Sequence, residues 1–248
     1  MFTDFDIGYG WDDYVGCDVQ RGAFYGFNGD SIDGTNNNEP EAYENEIPAQ
    51  GIVILGGPLM DANNIDDPDA NCDESITGIG FGDGEIDNER LGMTKFIWFG
   101  NASGPQSDPN TAEEYYNYLE GNWLDGTAME YGGNGHFSSG AYGPAANFMF
   151  PGLSDPCYWG TGGDEPFGPI NWTEISAGNF PGDRRGLSVM GPFTFEAGSV
   201  EKVDIAYVAA FPDGEKTDVE TVLDYIDVVK NEYYENSDYF VYQWLGNK

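Results

Sequence analysis

Carboxylates are the residues whose type and spacing in this sequence point to chemistry. Asp4, Asp6, Asp12, Asp13 and Asp18 follow one another closely, with Gly8, Gly10 and Gly16 between them. A second group is Asn28, Asp30 and Asp33, and a third is Asp61, Asn63, Asp66, Asp67, Asp69 and Asp73. The fourth is the run Gly82-Asp83-Gly84-Glu85-Ile86-Asp87-Asn88-Glu89. Hard cations take about six to eight oxygen ligands, and alternate aspartates on a tight glycine-bearing loop supply them. The fourth group resembles the middle of an EF-hand loop. With Asp83 at the fifth loop position, however, the first, third and twelfth positions fall on Ile79, Phe81 and Arg90. That excludes EF-hand ligation and leaves a shorter calcium loop. The expected ion is therefore Ca2+, with Asp4, Asp6, Asp12, Asp13, Asp18, Asp30, Asp33, Asp83, Asp87 and Glu89 as its candidate ligands. For any one cluster the competing reading is a solvated acidic surface. Carboxylates crowded at this density repel one another unless a cation bridges them, which favours at least one bound ion.

The charge balance of the chain agrees. Nine Lys and Arg stand against 44 Asp and Glu, a net charge of −35 over 248 residues. Self-repulsion of that size opposes compaction unless cations or salt screen it. Nine scattered cations build no basic patch, which excludes nucleic acid as a partner, and an anionic membrane surface is equally unattractive. No apolar stretch is long enough to span a bilayer, so membrane insertion is not expected. The N-terminus, Met-Phe-Thr-Asp-Phe-Asp, has neither a basic n-region nor an apolar h-region. A secreted or cell-surface reading therefore places the export signal outside this sequence.

Other chemistries find less support. The single histidine, His136, sits in Gly133-Asn-Gly-His-Phe-Ser-Ser139, and any Ser-His-Asp triad must use it. No GxSxG elbow exists; Gly186-Leu-Ser-Val-Met-Gly191 is one residue too long. A loop histidine satisfied by backbone groups is the expectation. Cys17, Cys72 and Cys157 form no CxxC pair, so a zinc knuckle is not expected. Three cysteines allow one disulfide and one buried thiol, or three reduced thiols. A glycosidase needs two carboxylates and aromatic platforms. Trp11, Trp98, Trp123, Trp159, Trp172 and Trp244 are available, but abundance is not specificity and such rings more simply fill a core. Arg184 and Arg185 stand out because arginine is scarce; pairing with local carboxylates would fix their loop, and the functional alternative is a grip on an anion.

The elements that must position these groups are short strands between glycine-rich turns. Strand character runs from Val19 to Phe27, from Gly51 to Leu55 and from Met93 to Phe99. Leu187 to Phe195 and Val200 to Phe211 read as two strands joined by Glu196-Ala-Gly-Ser199. Two segments read as helices. Thr111 caps the first, over about 111–123, with Tyr115, Tyr118 and Leu119 on one face. Thr217-Asp-Val-Glu220 is a capping box opening the second, about 218–235, in a C-terminal segment of about 217–238. Val219, Val222, Leu223, Ile226, Val229 and Tyr233 follow at helical spacing. The expected fold is a single mainly β domain over residues 1–248, an antiparallel, jelly-roll-like β-sandwich with one or two docked helices.

Several of these stretches together resemble one family. They are Asp4-Phe-Asp-Ile-Gly8, Asp12-Asp-Tyr-Val-Gly-Cys-Asp18, Tyr25-Gly-Phe-Asn-Gly-Asp30, and Phe81-Gly-Asp-Gly84 with Asp87-Asn-Glu-Arg-Leu-Gly-Met93. Tyr131-Gly-Gly-Asn-Gly-His136, Phe150-Pro-Gly152, Ser154-Asp-Pro156, Trp159-Gly-Thr161, Pro181-Gly-Asp-Arg-Arg185 and Gly191-Pro-Phe-Thr-Phe195 continue the match in order. The family comprises large secreted and cell-surface proteins of Bacteroidetes-type bacteria that carry a C-terminal type IX secretion sorting tail. In it this region looks like the later part of a β-rich module, followed by Ig-like and sorting domains. The resemblance implies export and a surface role and no particular activity. The expected function is a non-catalytic structural or adhesive module stabilised by calcium, meeting surface glycans or other surface proteins. The alternative is a carbohydrate-binding or glycoside-active extracellular domain.

Overall fold

Among the described residues, nine short strands and three helices follow one another in the order β1 (Phe2–Phe5), β2 (Asp13–Asp18), β3 (Ala23–Asn28), β4 (Ala49–Gly56), β5 (Gly78–Ile79), β6 (Arg90–Leu91), β7 (Lys95–Phe99), α1 (Ala112–Leu119), α2 (Glu174–Ala177), β8 (Arg184–Val189), β9 (Asp204–Ala210) and α3 (Asp218–Glu235). The computed structural model describes residues 1–34, 42–69, 72, 78–101, 103–166 and 171–235. Every pairing between named strands is antiparallel. One sheet has the order β1-β8-β7, a second β2-β3-β4-β9, and β5 pairs only with β6. Among the described residues no sheet closes on itself. The fold is mainly β, with helices docked on it.

The alternation of strand side chains decides what each sheet face meets. Phe5 of β1, Phe24 of β3 and Phe96 of β7 are fully buried. Phe5 meets Phe24 edge-on at 6.0 Å, and Phe24 meets Phe96 at 5.3 Å. The inner faces of the two larger sheets thus share one core, with Val15, Cys17, Ile52 and Trp98 around these rings. Each such side chain contributes about 1.5–3 kcal/mol by leaving water. Two glycines make room: a Cβ on Gly26 would lie 2.5 Å from the Phe5 ring, and one on Gly186 would lie 2.9 Å from it.

The other face of the four-stranded sheet carries Ala49, Val53, Val208 and Ala210 and is covered by α3 through Val222, Ile226 and Tyr233. The helix begins where its capping box requires. The Thr217 amide donates to Glu220 at 2.8 Å, and the Glu220 amide donates to Thr217 Oγ1 at 3.2 Å. A Cβ on Gly51 would stand 2.6 Å from Val222, so glycine there permits the close helix–sheet approach.

Three expectations about elements need correction. Val19 to Phe27 is not one strand: a turn at Val19–Gly22 separates β2 from β3, so the acidic segment expected as a loop is half strand. The segments Leu187 to Phe195 and Val200 to Phe211 are not a hairpin. β8 ends at Val189 and lies between β1 and β7, whereas β9 pairs with β4 in the other sheet. Pro192 has no amide hydrogen for a ladder, so the run stops before it and residues 190–203 carry the chain across. The helix expected over about 111–123 ends at Leu119. Its Thr111–Glu114 capping box forms as expected, and Gly121, in a left-handed conformation, follows its C-terminus.

Candidate metal centre

The segment before β2 and the turn after β3 meet because β2 and β3 are antiparallel neighbours with Asp13 opposite Asn28. This register places two of the sequence clusters in one spot. Asp13 is completely buried, and its Oδ2 accepts the Ile7 amide at 3.1 Å. Asp12 Oδ2 accepts the Gly34 amide at 3.5 Å. Asp33 is buried and accepts the amides of Tyr9 and Tyr43. Gly8, at φ +69°, is what lets Asp33 so close: a Cβ there would lie 1.8 Å from Asp33 Oδ2. Asn28 turns its amide nitrogen toward the Asp30 carbonyl at 3.0 Å and the Asp30 carboxylate at 3.3 Å, and Asp30 in turn accepts the Ile32 amide.

These bonds leave three oxygens over. Asp12 Oδ1, Asp13 Oδ1 and Asn28 Oδ1 are buried and accept no hydrogen bond. A buried acceptor without a donor costs about 1–3 kcal/mol, and more when charged. A cation or a proton would satisfy such acceptors, and the electrostatic coupling of Asp12 and Asp13 to Asp30, Asp33 and Asp6 makes the surroundings acidic. The electrostatics agree. Burial pushes the Asp13 carboxyl up to about 8, with Asp12, Asp33 and Asp6 adding repulsion against the opposing Ile7 hydrogen bond. Burial likewise raises Asp12 to about 6, with Asp33 and Asp30 adding to it and the Gly34 amide opposing.

The donor set is carboxylate and carboxamide oxygen, which suits a hard cation and not a thiophilic one. Among the described residues no three His, Cys, Asp or Glu side chains converge into a ready cage.

The remaining candidates lie elsewhere. Asp6 sits at the edge of the cluster, its carboxylate against Gly10, where a Cβ would approach to 2.1 Å. Asp4 is on β1 opposite Arg185 and pairs with it at 3.3 Å. Asp18 closes the far end of β2, where it accepts the Arg21 amide at 2.8 Å and pairs with its guanidinium at 2.7 Å. The third and fourth clusters fold onto each other. Asp66 accepts the amides of Gly82 and Gly84, Asp87 those of Asn63 and Asn64, and the buried Glu89 that of Asp67. Asp83 accepts from the Glu85 amide and from Asn88. Backbone amides therefore occupy these acids; among the described residues there, Asn88 Oδ1 is a buried side-chain oxygen without a donor. Asp73 lies outside the described residues.

Arg184 and Arg185, expected in a loop, instead open strand β8, and both pair with carboxylates. Arg184 is buried against Glu174 at 2.8 Å and lies over Trp98 at 4.5 Å; Arg185 pairs with Asp4, Asp108 and Asp183. Glu174 also accepts from Val15 and Asn179, a buried junction that no sequence spacing announced. Cys72 and Cys157 form a disulfide. Cys17 is a buried thiol donating to the Met149 carbonyl, and burial pushes its pKa well up.

His136 is buried and held by side chains as well as backbone. Its Nδ1 takes the Ser138 amide at 3.1 Å and faces Ser138 Oγ at 2.7 Å, while Nε2 faces Asp125 at 3.2 Å. The ring thereby caps the short 3-10 turn Phe137–Ser139. A nitrogen already holding a backbone amide makes a poor base for Ser138, and the arrangement reads as a cap. Of the tryptophans, Trp98, Trp123 and Trp172 are core residues and Trp159 packs against the core, whereas Trp11 is exposed and Trp244 lies outside the described residues. Comparison with family models, curated proteins and solved structures finds no match to this chain.

Proposed function

We propose that this chain is a non-catalytic structural or adhesive module of an exported or cell-surface bacterial protein, its fold stabilised by Ca2+ bound through Asp12, Asp13 and Asn28, with Asp30 and Asp33 adding charge. The observation that carries the reading is the trio of buried, donorless oxygens on these residues, set among acids in a chain of charge −35. A divalent cation removes three costs together: the unmet acceptors, the mutual repulsion and the burial of charge. The cluster sits where the loop of residues 6–12 and the turn after β3 meet, so one ion would join two segments that bury little apolar surface. The resemblance to surface proteins with a type IX sorting tail supports export. Two facing sheets with a shared core support the finer reading of a jelly-roll-like sandwich.

Thermal unfolding tests this. A ligand bound only by the folded state stabilises by RT ln(1 + [L]/Kd), about 2.7 kcal/mol at a hundredfold excess over Kd. For a chain of this size that is a rise in midpoint of about 5–10 °C on passing from EDTA to millimolar calcium. Ionic strength must be held fixed, because salt alone screens the charge. An unchanged midpoint, with no calcium retained on dialysis, would refute the reading.

A further inference from the structure

The outer face of the three-stranded sheet holds a second feature that the ion does not explain. Register puts Asp4, Arg185 and Phe99 side by side across β1, β8 and β7, and Phe2 beside Leu187 two residues away on the same face. Helix α1 lies over part of this face. The rings of Phe2, Phe99 and Tyr118 stack in sequence, with centroids 5.7 Å and then 5.0 Å apart. Phe99 and Tyr118 are buried, whereas Phe2 is 49% exposed, and Tyr115 and Leu119 on α1 are 58% and 48% exposed. Between them is a groove of about 450 Å³ with Asp108 and Arg185 in its wall. That volume lies within the range of small-ligand sites, and so does the composition, apolar with a few polar groups.

The polar wall narrows the ligand. Arg185 faces three carboxylates, Asp4, Asp108 and Asp183, so the neighbourhood is net negative and disfavours an anion. Yet Arg185 Nη1 is buried and makes no hydrogen bond, standing 3.4 Å from its ion-pair partner Asp108. A cation offers that donor nothing. A ligand that satisfies the wall must accept from Arg185, donate to Asp108, carry no negative charge and lay an apolar face on aromatic rings. Vicinal hydroxyls on a pyranose ring do the first two. Its axial C–H groups, positive at their hydrogens, suit the negative π face of Tyr115 or Phe2. We propose that the groove between α1 and the β1-β8-β7 sheet binds a neutral pyranose unit of a glycan, stacked on Tyr115 and Phe2 and hydrogen-bonded by Arg185 and Asp108. Arg185, Asp108, Phe2 and Tyr115 all lie outside the Asp12–Asp13–Asn28 cluster, so the proposal stands independently of the calcium reading.

The test is saturation-transfer NMR on the folded protein in millimolar calcium. The probes are neutral gluco-, manno-, galacto- and xylo-oligosaccharides, with an oligoglucuronate and the apolar dye 8-anilinonaphthalene-1-sulfonate as comparisons. Transfer to ring protons of at least one neutral sugar is expected, with none to the oligoglucuronate. Tyr115→Ala should weaken that binding about tenfold or more. Tyr116→Ala is the control: the same ring type one residue along α1, 61% exposed and outside the groove. It should bind as wild type does. Transfer to no neutral sugar, equal loss in both variants, a preference for the oligoglucuronate, or binding of the dye alone would each overturn the proposal. Unchanged circular dichroism of both variants ensures that loss of binding is not loss of fold.

Discussion

Replacing Asp13 by Asn separates the two ways in which its pocket can be stabilised. Without an ion, Asp13 holds its proton in the folded state up to about pH 8, whereas an aspartate in the unfolded chain releases it near pH 3.8. At pH 7 the unfolded state gains by that release. The penalty on folding is about 1.4 kcal/mol for each of some three pH units, or about 4 kcal/mol. Relaxation of the pocket lowers this, so about 2–4 kcal/mol is the expected scale. Asparagine cannot ionise, and its amide can donate to the donorless Asn28 Oδ1 across the strand pair. In EDTA at pH 7, Asp13→Asn should therefore raise the unfolding midpoint, by about 4–16 °C at 2–4 °C per kcal/mol. In millimolar calcium the order should close or reverse, because the wild type gains the ion and the variant has lost a charged ligand. Differential scanning calorimetry of both proteins in both buffers measures all four midpoints. A variant less stable than wild type in EDTA would mean that Asp13 is ionised and satisfied there. Equal calcium responses would mean that Asp13 does not hold the ion.

Three further outcomes are expected. In EDTA, stability should fall as pH rises from about 4 to 8: Asp12 and Asp13 have folded pKa values raised to about 6 and about 8, so their contribution is complete below the unfolded value and lost on passing the folded one. Saturating calcium should flatten that slope, and chemical denaturation across pH in both buffers checks it. Thiol counting in denaturant should find one free thiol, Cys17, and reducing the Cys72–Cys157 bridge, which spans 85 residues, should cost about 2–5 kcal/mol. Because His136 Nδ1 already takes the Ser138 amide, the protein should show no labelling of Ser138 by a fluorophosphonate and no esterase activity that Ser138→Ala removes; labelling at Ser138 would make the histidine a base after all.

What the sequence disclosed depended on whether the deciding contact was local. Helix α3 was legible to the residue because its capping box and its apolar spacing lie within the helix itself. The core of β4 was legible as an uninterrupted apolar run. The partner of β8 was not, because nothing near Leu187 says that Phe2 lies opposite it. The acidic clusters showed the same division. Their density suggested an ion, but which acids keep an oxygen without a donor is decided by tertiary partners. Asp4 is taken by Arg185, Asp18 by a turn to Arg21, and Asp87 by amides more than twenty residues away. Asp12 and Asp13 remain because their neighbours, across the β2–β3 pair, are a carboxamide and more acids. The groove escaped the sequence for a related reason. Tyr115, Tyr118 and Leu119 were visible as one helix face, but the aromatic and charged sheet face beneath them is assembled from three distant strands.

A crystal structure at saturating calcium, with an anomalous difference map, would locate the ion. One peak should lie within about 2.3–2.6 Å of Asp12 Oδ1, Asp13 Oδ1 and Asn28 Oδ1, with further oxygens completing the shell. A map with no peak there, and Asp13 bonded directly to Asn28 through a proton, would contradict the calcium reading.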